Sequence, residues 1–279
     1  MQNNNPLVSI IIPTHNRATL LPKAINSALA QTYKPIEIII INDGSQDNTD
    51  EIVEKFKKKH SNIIYLKHEK PKGAPAARNY GIKFAKGEFI QFLDSDDSIA
   101  KEKIEQQLNS LNKTNADMSI CDYSNFRSDD EISILVNEVK NDSNLMMKVA
   151  TGGSVCILTP LIKKTLVDKA PLWNEKLLKN QDVDYMLKLF ILCKSYVYTT
   201  GYYGNYCHYS INRISDLYRM SPPEYRKRIS SLFIFGLSKW KIIPLRNWLY
   251  FFIALSKMIF WLWPISIFKI LYQKFTING

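Results

Sequence analysis

The sequence has no G-x-G-x-x-G after its first apolar run and no G-x-x-x-x-G-K-[ST]. Dinucleotide-binding and P-loop readings therefore lose ground. It has four cysteines, Cys121, Cys156, Cys193 and Cys207, widely spaced and without a C-x-x-C pair. That argues against a disulfide framework and fits reduced, packed thiols in a cytosolic protein. The first six residues, Met1 to Pro6, are polar and uncharged, unlike a secretory signal. No internal repeat is present. Acid is nearly missing from the last part of the chain. Residues 219–279 hold ten Lys/Arg against the single acid Glu224, which leaves +2 of the total +11 for residues 1–218. The basic charge belongs to this tail, and no nucleic-acid module accompanies it.

What is present is an alternation. Leu7 to Ile12 reads as a buried strand stopped by Pro13. A helix over about Thr19 to Gln31 follows, then a strand over Ile36 to Ile41. The next helix starts near Asp47, Asn48 or Thr49, and a third strand covers Ile63 to Leu66. A third helix spans Ala74 to Ala85. The chain then reaches the stretch on which the rest turns, Phe89-Ile90-Gln91-Phe92-Leu93-Asp94-Ser95-Asp96-Asp97. It reads as a buried strand running out into three carboxylates. Four strands alternating with helices imply an α/β fold, a mainly parallel sheet with helices on both faces. Ligands of such sheets sit beyond the carboxyl ends of the strands. Thr14 to Arg17, Asp43 and Asp94 to Asp97 all fall on that rim. Mutually repelling acids there suit a hard cation, Mg²⁺ or Mn²⁺, that bridges to substrate phosphates.

Each cluster also has a plainer reading. Asp43-Gly44-Ser45 is equally a turn and helix entry, His15 a loop histidine, and Asp94 to Asp97 a solvated acidic turn. Arg78 either caps a surface or meets a diphosphate, whose oxygens a guanidinium matches bidentately.

Five stretches together carry a family resemblance. They are Val8 to Arg17, Ala30-Gln31-Thr32-Tyr33, Ile41 to Thr49, Gly73 to Gly81, and Phe92 to Asp97. In order and spacing they resemble family 2 glycosyltransferases of the GT-A fold, specifically over residues 7–100 and more loosely to about 215. The resemblance implies a nucleotide-sugar donor, most often a UDP-sugar. It implies that Pro13, Thr14 and Arg17 border the nucleotide, with Asn16 of the same loop counted among the donor-binding residues. Asp43 would accept from the base, Arg78 would lie near ribose and diphosphate, and Asp94 near the ribose. Asp96 would bind Mn²⁺ or Mg²⁺.

The second half is less regular. Ala116 to Tyr123 reads as a strand, residues 124–150 as a variable excursion, and Val155 to Leu158 as a short apolar run. Asn180-Gln181-Asp182 then opens a stretch of helical apolar spacing. The family usually has a Glu-Asp pair there, whose Asp acts as the base. Here Gln181 replaces the Glu and Asp182 matches the Asp. A first-turn acid favoured by the helix dipole is the plainer reading of Asp182. Asp184, two positions on, faces another direction. The tyrosines between Tyr198 and Tyr209 suit packing on a sheet edge or a sugar site. His208, with Asn212 and Arg213, resembles the loop that closes over the donor and is a further candidate for diphosphate or metal.

Trp248 to Phe268 has the length that spans a bilayer, about 20 residues, but Lys257 and Pro264 interrupt it. Arg246, Tyr250 and Lys257 fall on one stripe. Three readings stand: a helix lying in the membrane interface, a true span, and a helix pair covered by a partner or the core. The expectation is a GT-A domain over 1–215 and a basic, apolar helical extension over 216–279. The enzyme would sit on the cytoplasmic face of the membrane and transfer a sugar, with inversion, to a lipid-linked glycan. The alternatives are a sugar nucleotidyltransferase and a catalytically silent scaffold of a glycan-assembly complex.

Overall fold

The computed structural model describes residues 5–126, 134–136, 145, 149, 155–207, 222–239 and 241–262. The first half alternates as expected: β1 (Val8–Thr14), α1 (Leu21–Leu29), β2 (Ile36–Asp43), α2 (Thr49–Lys59), β3 (Ile63–His68), α3 (Ala74–Phe84) and β4 (Phe89–Phe92). There follow β5 (Ser98–Ile99), α4 (Lys103–Thr114), β6 (Met118–Phe126), β7 (Ile134–Val136), β8 (Leu161–Lys163), α5 (Lys164–Lys169), α6 (Gln181–Leu192) and β9 (Tyr196–Cys207). Two helices close the described chain, α7 (Pro222–Lys239) and α8 (Trp248–Leu262), joined through a 3₁₀ turn at Leu245–Asn247.

The nine strands among the described residues form one sheet, ordered β3-β2-β1-β4-β8-β6-β9-β5, with β7 on β6. β3, β2, β1 and β4 are parallel. β8 is antiparallel to both β4 and β6. The apolar run Val155 to Leu158 forms no strand; β8, just after it, takes the place beside β4. The two-residue period of the strands splits the core between the sheet faces. Ile11, Ile39, Ile41, Ile90 and Phe92 pack on one side with α3 and α6. Ile10, Ile12, Ile38 and Ile40 pack on the other with α1 and α4. Burial on both faces explains why these strands read as continuous apolar runs.

Pro13 does not stop β1. The strand continues, with Pro13 opposite Ile41 and Thr14 opposite Asn42. Pairing with β4 ends at Ile11 opposite Phe92, and Ile11 O accepts from Leu93 N on that side. Pro13 presents its missing N–H toward the same side, where no strand remains to bond. The extra turn of strand carries Thr14 onto the rim. Gly81 lets α3 lie close on the sheet, since a Cβ there would meet Ile11 Cγ2 at 2.5 Å and Ile41 Cδ1 at 2.9 Å.

α7 and α8 pack on α6. Leu232, Phe235, Ile243, Phe251 and Ala254 are buried in the same core as Tyr185 to Leu192. On their outer side Phe233, Ile234, Leu237, Leu249 and Phe252 are exposed. Among the described residues no helix is long and apolar enough to cross a membrane.

Candidate active site

Two loops at the ends of β1 and β2 are stitched together by side-chain hydrogen bonds. His15 Nδ1 donates to the Asp43 carbonyl at 2.7 Å. Its other ring nitrogen accepts from Asn16 Nδ2 at 3.1 Å. Asn16 adopts a left-handed φ of 51°. Its amide donates to Ser45 Oγ at 2.9 Å, and its Oδ1 accepts from Gln46 N at 2.8 Å. Asn16 thus spends its polar atoms on loop geometry. Arg17 is half-buried beside it, and its carbonyl accepts from Leu20 and Leu21 at the entry to α1. Thr14 is buried, and among the described residues its Oγ1 has no hydrogen-bond partner. Such an orphaned hydroxyl on a rim is a ready contact for a ligand.

Asp43 is buried and its carboxylate is engaged three times. It accepts from Lys72 N at 2.9 Å, Gly73 N at 2.7 Å and His68 Nδ1 at 2.7 Å. These bonds fix the turn that opens α3. Gly44, at φ 68°, lets Pro71 approach; a Cβ would sit 2.8 Å from its Cδ. The start of α3 is therefore set from β2, and Arg78 follows in its second turn.

Arg78 is the centre of the site. It is buried, donates from Nη2 to Asp94 Oδ1 at 2.6 Å, and lies 4.4 Å from the centroid of the Trp173 ring. Among the described residues its Nε has no hydrogen-bond partner. Asn79 clamps Trp173: Oδ1 accepts from Trp173 N at 2.8 Å, and Nδ2 donates to Trp173 O at 3.0 Å and Glu175 Oε1 at 2.8 Å. Trp173 stacks in turn on Tyr185 of α6, with ring centroids 4.3 Å apart. Trp173 carried no signal in the sequence, and Asn79 was visible only as part of the Gly73 to Gly81 stretch, without a role. A tryptophan in an irregular segment reads as core until the fold brings it beneath an arginine.

The acidic cluster divides its labour. Asp94 pairs with Arg78. Asp97 is buried and accepts from Cys207 N at 2.9 Å, tying the strand end to the end of β9. Asp96 is half-buried, and among the described residues its carboxylate makes no hydrogen bond or ion pair. It is the member of the cluster that could take an external cation. Among the described residues no group of three His, Cys, Asp or Glu is set to hold a metal. A Mg²⁺ or Mn²⁺ site built from one or two carboxylates plus substrate phosphates and water fits that donor set. His208, Asn212 and Arg213 lie outside the described residues.

Asp182 stands in the first turn of α6. It is packed deeply but not sealed from solvent. Desolvation holds its carboxyl above the ordinary carboxylate range, and nearby Asp94 pushes the same way; Arg78 and the amides of Val183 and Asp182 oppose. The fold thus brings Arg78, Asp94 and Asp182 into one electrostatic neighbourhood from three separate elements. Gln181 donates from its side chain to Leu178 O at 3.1 Å. Asp184 is buried, with Oδ2 2.5 Å from Lys188 Nζ. That bond holds it away from the rim.

Sheet, rim and acidic strand end define a GT-A fold. The chain belongs to glycosyl transferase family 2, whose profile matches residues 9–158. An uncharacterized glycosyltransferase of Rickettsia felis is 37% identical over 191 residues, covering 66% of this chain and 31% of that protein. The chain thus spans under a third of that relative. Among solved structures, S. aureus TarS 1-349 in complex with UDP-GlcNAc aligns with a TM-score of 0.74 and 20% identity, over 91% of this chain and 72% of that one. The mannosyltransferase PcManGT from Pyrobaculum calidifontis, in complex with GDP-Man and Mn²⁺, aligns at 0.58 and 15%, over 92% and 74%.

Proposed function

We propose that this chain transfers a sugar from a UDP-sugar to an acceptor hydroxyl, with inversion at the anomeric carbon. The observation that carries the reading is the meeting of Arg78, Asp94 and Asp182 on one rim. Asp182 accepts the acceptor's proton while the acceptor oxygen bonds to the anomeric carbon. The bond from that carbon to the diphosphate breaks, and its electron pair leaves with the diphosphate oxygen. Inversion follows because attack comes from the side opposite the leaving group. A carboxylate raised above its ordinary range is a better base than a free aspartate. The Arg78 guanidinium, already oriented by Asp94 and Trp173, turns a preset charge toward the diphosphate without reorganising. Asp96 would hold a Mn²⁺ or Mg²⁺, which supplies Lewis-acid stabilisation of that leaving group. Thr14 and Arg17, with Pro13 behind them, would border the nucleotide. Asp43 and Asn16 would serve by fixing the loops around it, and a contact to the base would have to share Asp43's occupied carboxylate.

The acceptor is a lipid-linked glycan of surface polysaccharide assembly, met at the cytoplasmic face of the membrane. What supports this is the outer side of α7 and α8, where Phe233, Ile234, Leu237, Leu249 and Phe252 stand exposed beside Lys227 and Lys241. Apolar burial and attraction to anionic headgroups would add there. UDP binding measured calorimetrically with Mn²⁺ and with chelator, followed by analysis of the released nucleotide, tests the reading. Metal-dependent UDP binding and release of UDP support it. Release of pyrophosphate would mark a nucleotidyltransferase instead, and no turnover with any nucleotide-sugar would mark a silent scaffold.

A further inference from the structure

We infer that the two C-terminal helices position the helix carrying Asp182, acting through Lys188 in its body and Asn247 at its end. The inference rests on the reading of Asp182 as the base. A helix leaves its last carbonyls without intrahelical partners. In α6 those of Phe190 and Ile191, together with Cys193 just beyond, all face one side chain. Asn247 Nδ2 lies 3.4, 3.0 and 2.8 Å from these three oxygens, and Asn247 is fully buried. Asn247 belongs to the turn between α7 and α8. Further along α6, Lys188 Nζ sits between Asp184 Oδ2 and Ser231 Oγ, 2.5 Å from each. Ser231 belongs to α7.

The other end of α6 is held by the Tyr185 ring stacked on Trp173 rather than by a side-chain cap. Asn180 at its N-cap takes a left-handed φ of 50° and makes no side-chain cap bond. To the support of that ring stack the extension adds anchors in the body and at the C-terminal end of the helix. A helix transmits such fixing as a rod: Asp182 lies six residues from Lys188, about 9 Å along the axis. A buried ion pair adds little to stability, and here its geometry ties α6 to α7. The Ser231 hydroxyl makes the pair specific for one rotation of α6 against α7. Rotation matters because a reacting group misplaced by about 1 Å can cost roughly 10²-fold in rate. The extension is thus part of the catalytic apparatus as well as a surface.

The test uses the full chain and a panel of UDP-sugars with Mn²⁺, following UDP release from the fastest member. Ser231→Ala and Asn247→Ala should lower kcat by about tenfold or more, while the donor KM and UDP affinity stay near wild type. Ser231→Thr, which keeps the hydroxyl, should restore kcat. Hydrogen exchange should show the first turn of α6 opening in both Ala variants. A lower melting temperature with unchanged kcat and unchanged exchange at that turn overturns the inference, as does loss of kcat that Ser231→Thr fails to restore. If Asn247→Ala does not fold, the two Ser231 variants decide. Asp182→Asn run alongside separates the two ideas: if it keeps turnover the base reading has failed, whereas if it loses turnover and the Ala variants do not, only the positioning role has failed.

Discussion

Arg78 and Asp94 close an ion pair at 2.6 Å on the rim where the sheet ends. The guanidinium is almost wholly buried, whereas the carboxylate keeps about a third of its surface open. Arg78 is therefore the partner that suffers when the pair is broken. Asp94→Asn leaves a buried cation with a weaker acceptor, a loss of about 1–3 kcal/mol by comparison with other unsatisfied buried groups. The variant should melt at a lower temperature. UDP with Mn²⁺ should raise its melting temperature by more than it raises that of the wild type, because the diphosphate replaces the missing charge. Equal shifts in the two proteins would place the diphosphate elsewhere.

Asp96 differs from its neighbours in that, among the described residues, its carboxylate has no hydrogen bond or ion pair. Asp96→Ala should leave the melting temperature of the free protein nearly unchanged. It should also remove the difference between UDP affinity in Mn²⁺ and in chelator. Asp97→Ala should do the reverse, destabilising the fold through the lost bond to Cys207 N while metal dependence persists in whatever protein remains folded. Titration calorimetry on both variants checks the division.

Asp182 should oppose stability where it serves chemistry. Its carboxyl is raised in the folded state by desolvation. A raised group contributes stability fully below its unfolded value, near 3.8, and loses that contribution as pH rises through the folded value. Asp182→Asn should therefore melt higher than wild type at neutral pH, and the gap should close under acid. Turnover should fall by about 10²–10⁴, with UDP affinity kept. The wild-type rate should fall on its acidic side at a pH above the usual aspartate range. A rate that stays level down to ordinary aspartate pH would take the base role from Asp182.

The parallel half of the sheet was open to sequence reasoning because burial on both faces writes long runs of isoleucine. Its rim was open because turn residues follow each run. Gln91, the one polar residue in the acidic-ended run, showed its reason only in three dimensions. Its Oε1 accepts from Lys103 Nζ, and the same ammonium also reaches Gln107 Oε1. No local pattern announces a buried lysine met by two glutamines from different elements. Asp43 was legible as a rim residue, but its partners lie 25 to 30 residues on. The antiparallel strand β8 was missed because three residues are too short for periodicity to speak. Trp173 and Asn247 were silent for a shared reason: each acts on a helix that lies far from it in sequence.

The last prediction concerns a chain ending at Arg219. The sequence alone suggests a catalytic domain complete by residue 215. The described part of the extension buries Leu232, Phe235, Ile243 and Phe251 against the core that contains α6. Full burial of a large apolar side chain is worth about 1.5–3 kcal/mol, so four of them supply roughly 6–12 kcal/mol. That is comparable to the whole stability of a domain, about 5–15 kcal/mol. Removal would also uncap the carbonyls of Phe190, Ile191 and Cys193 and leave Lys188 without Ser231. The shortened chain should aggregate or bind a hydrophobic dye, and it should lose its cooperative melt. By contrast, replacing the outward Phe233, Ile234 and Leu237 with serine in the full chain should preserve the melt and UDP binding, and should weaken sedimentation with anionic vesicles. A shortened chain that melts cooperatively and binds UDP as the full one does would return the extension to the status of a separable anchor.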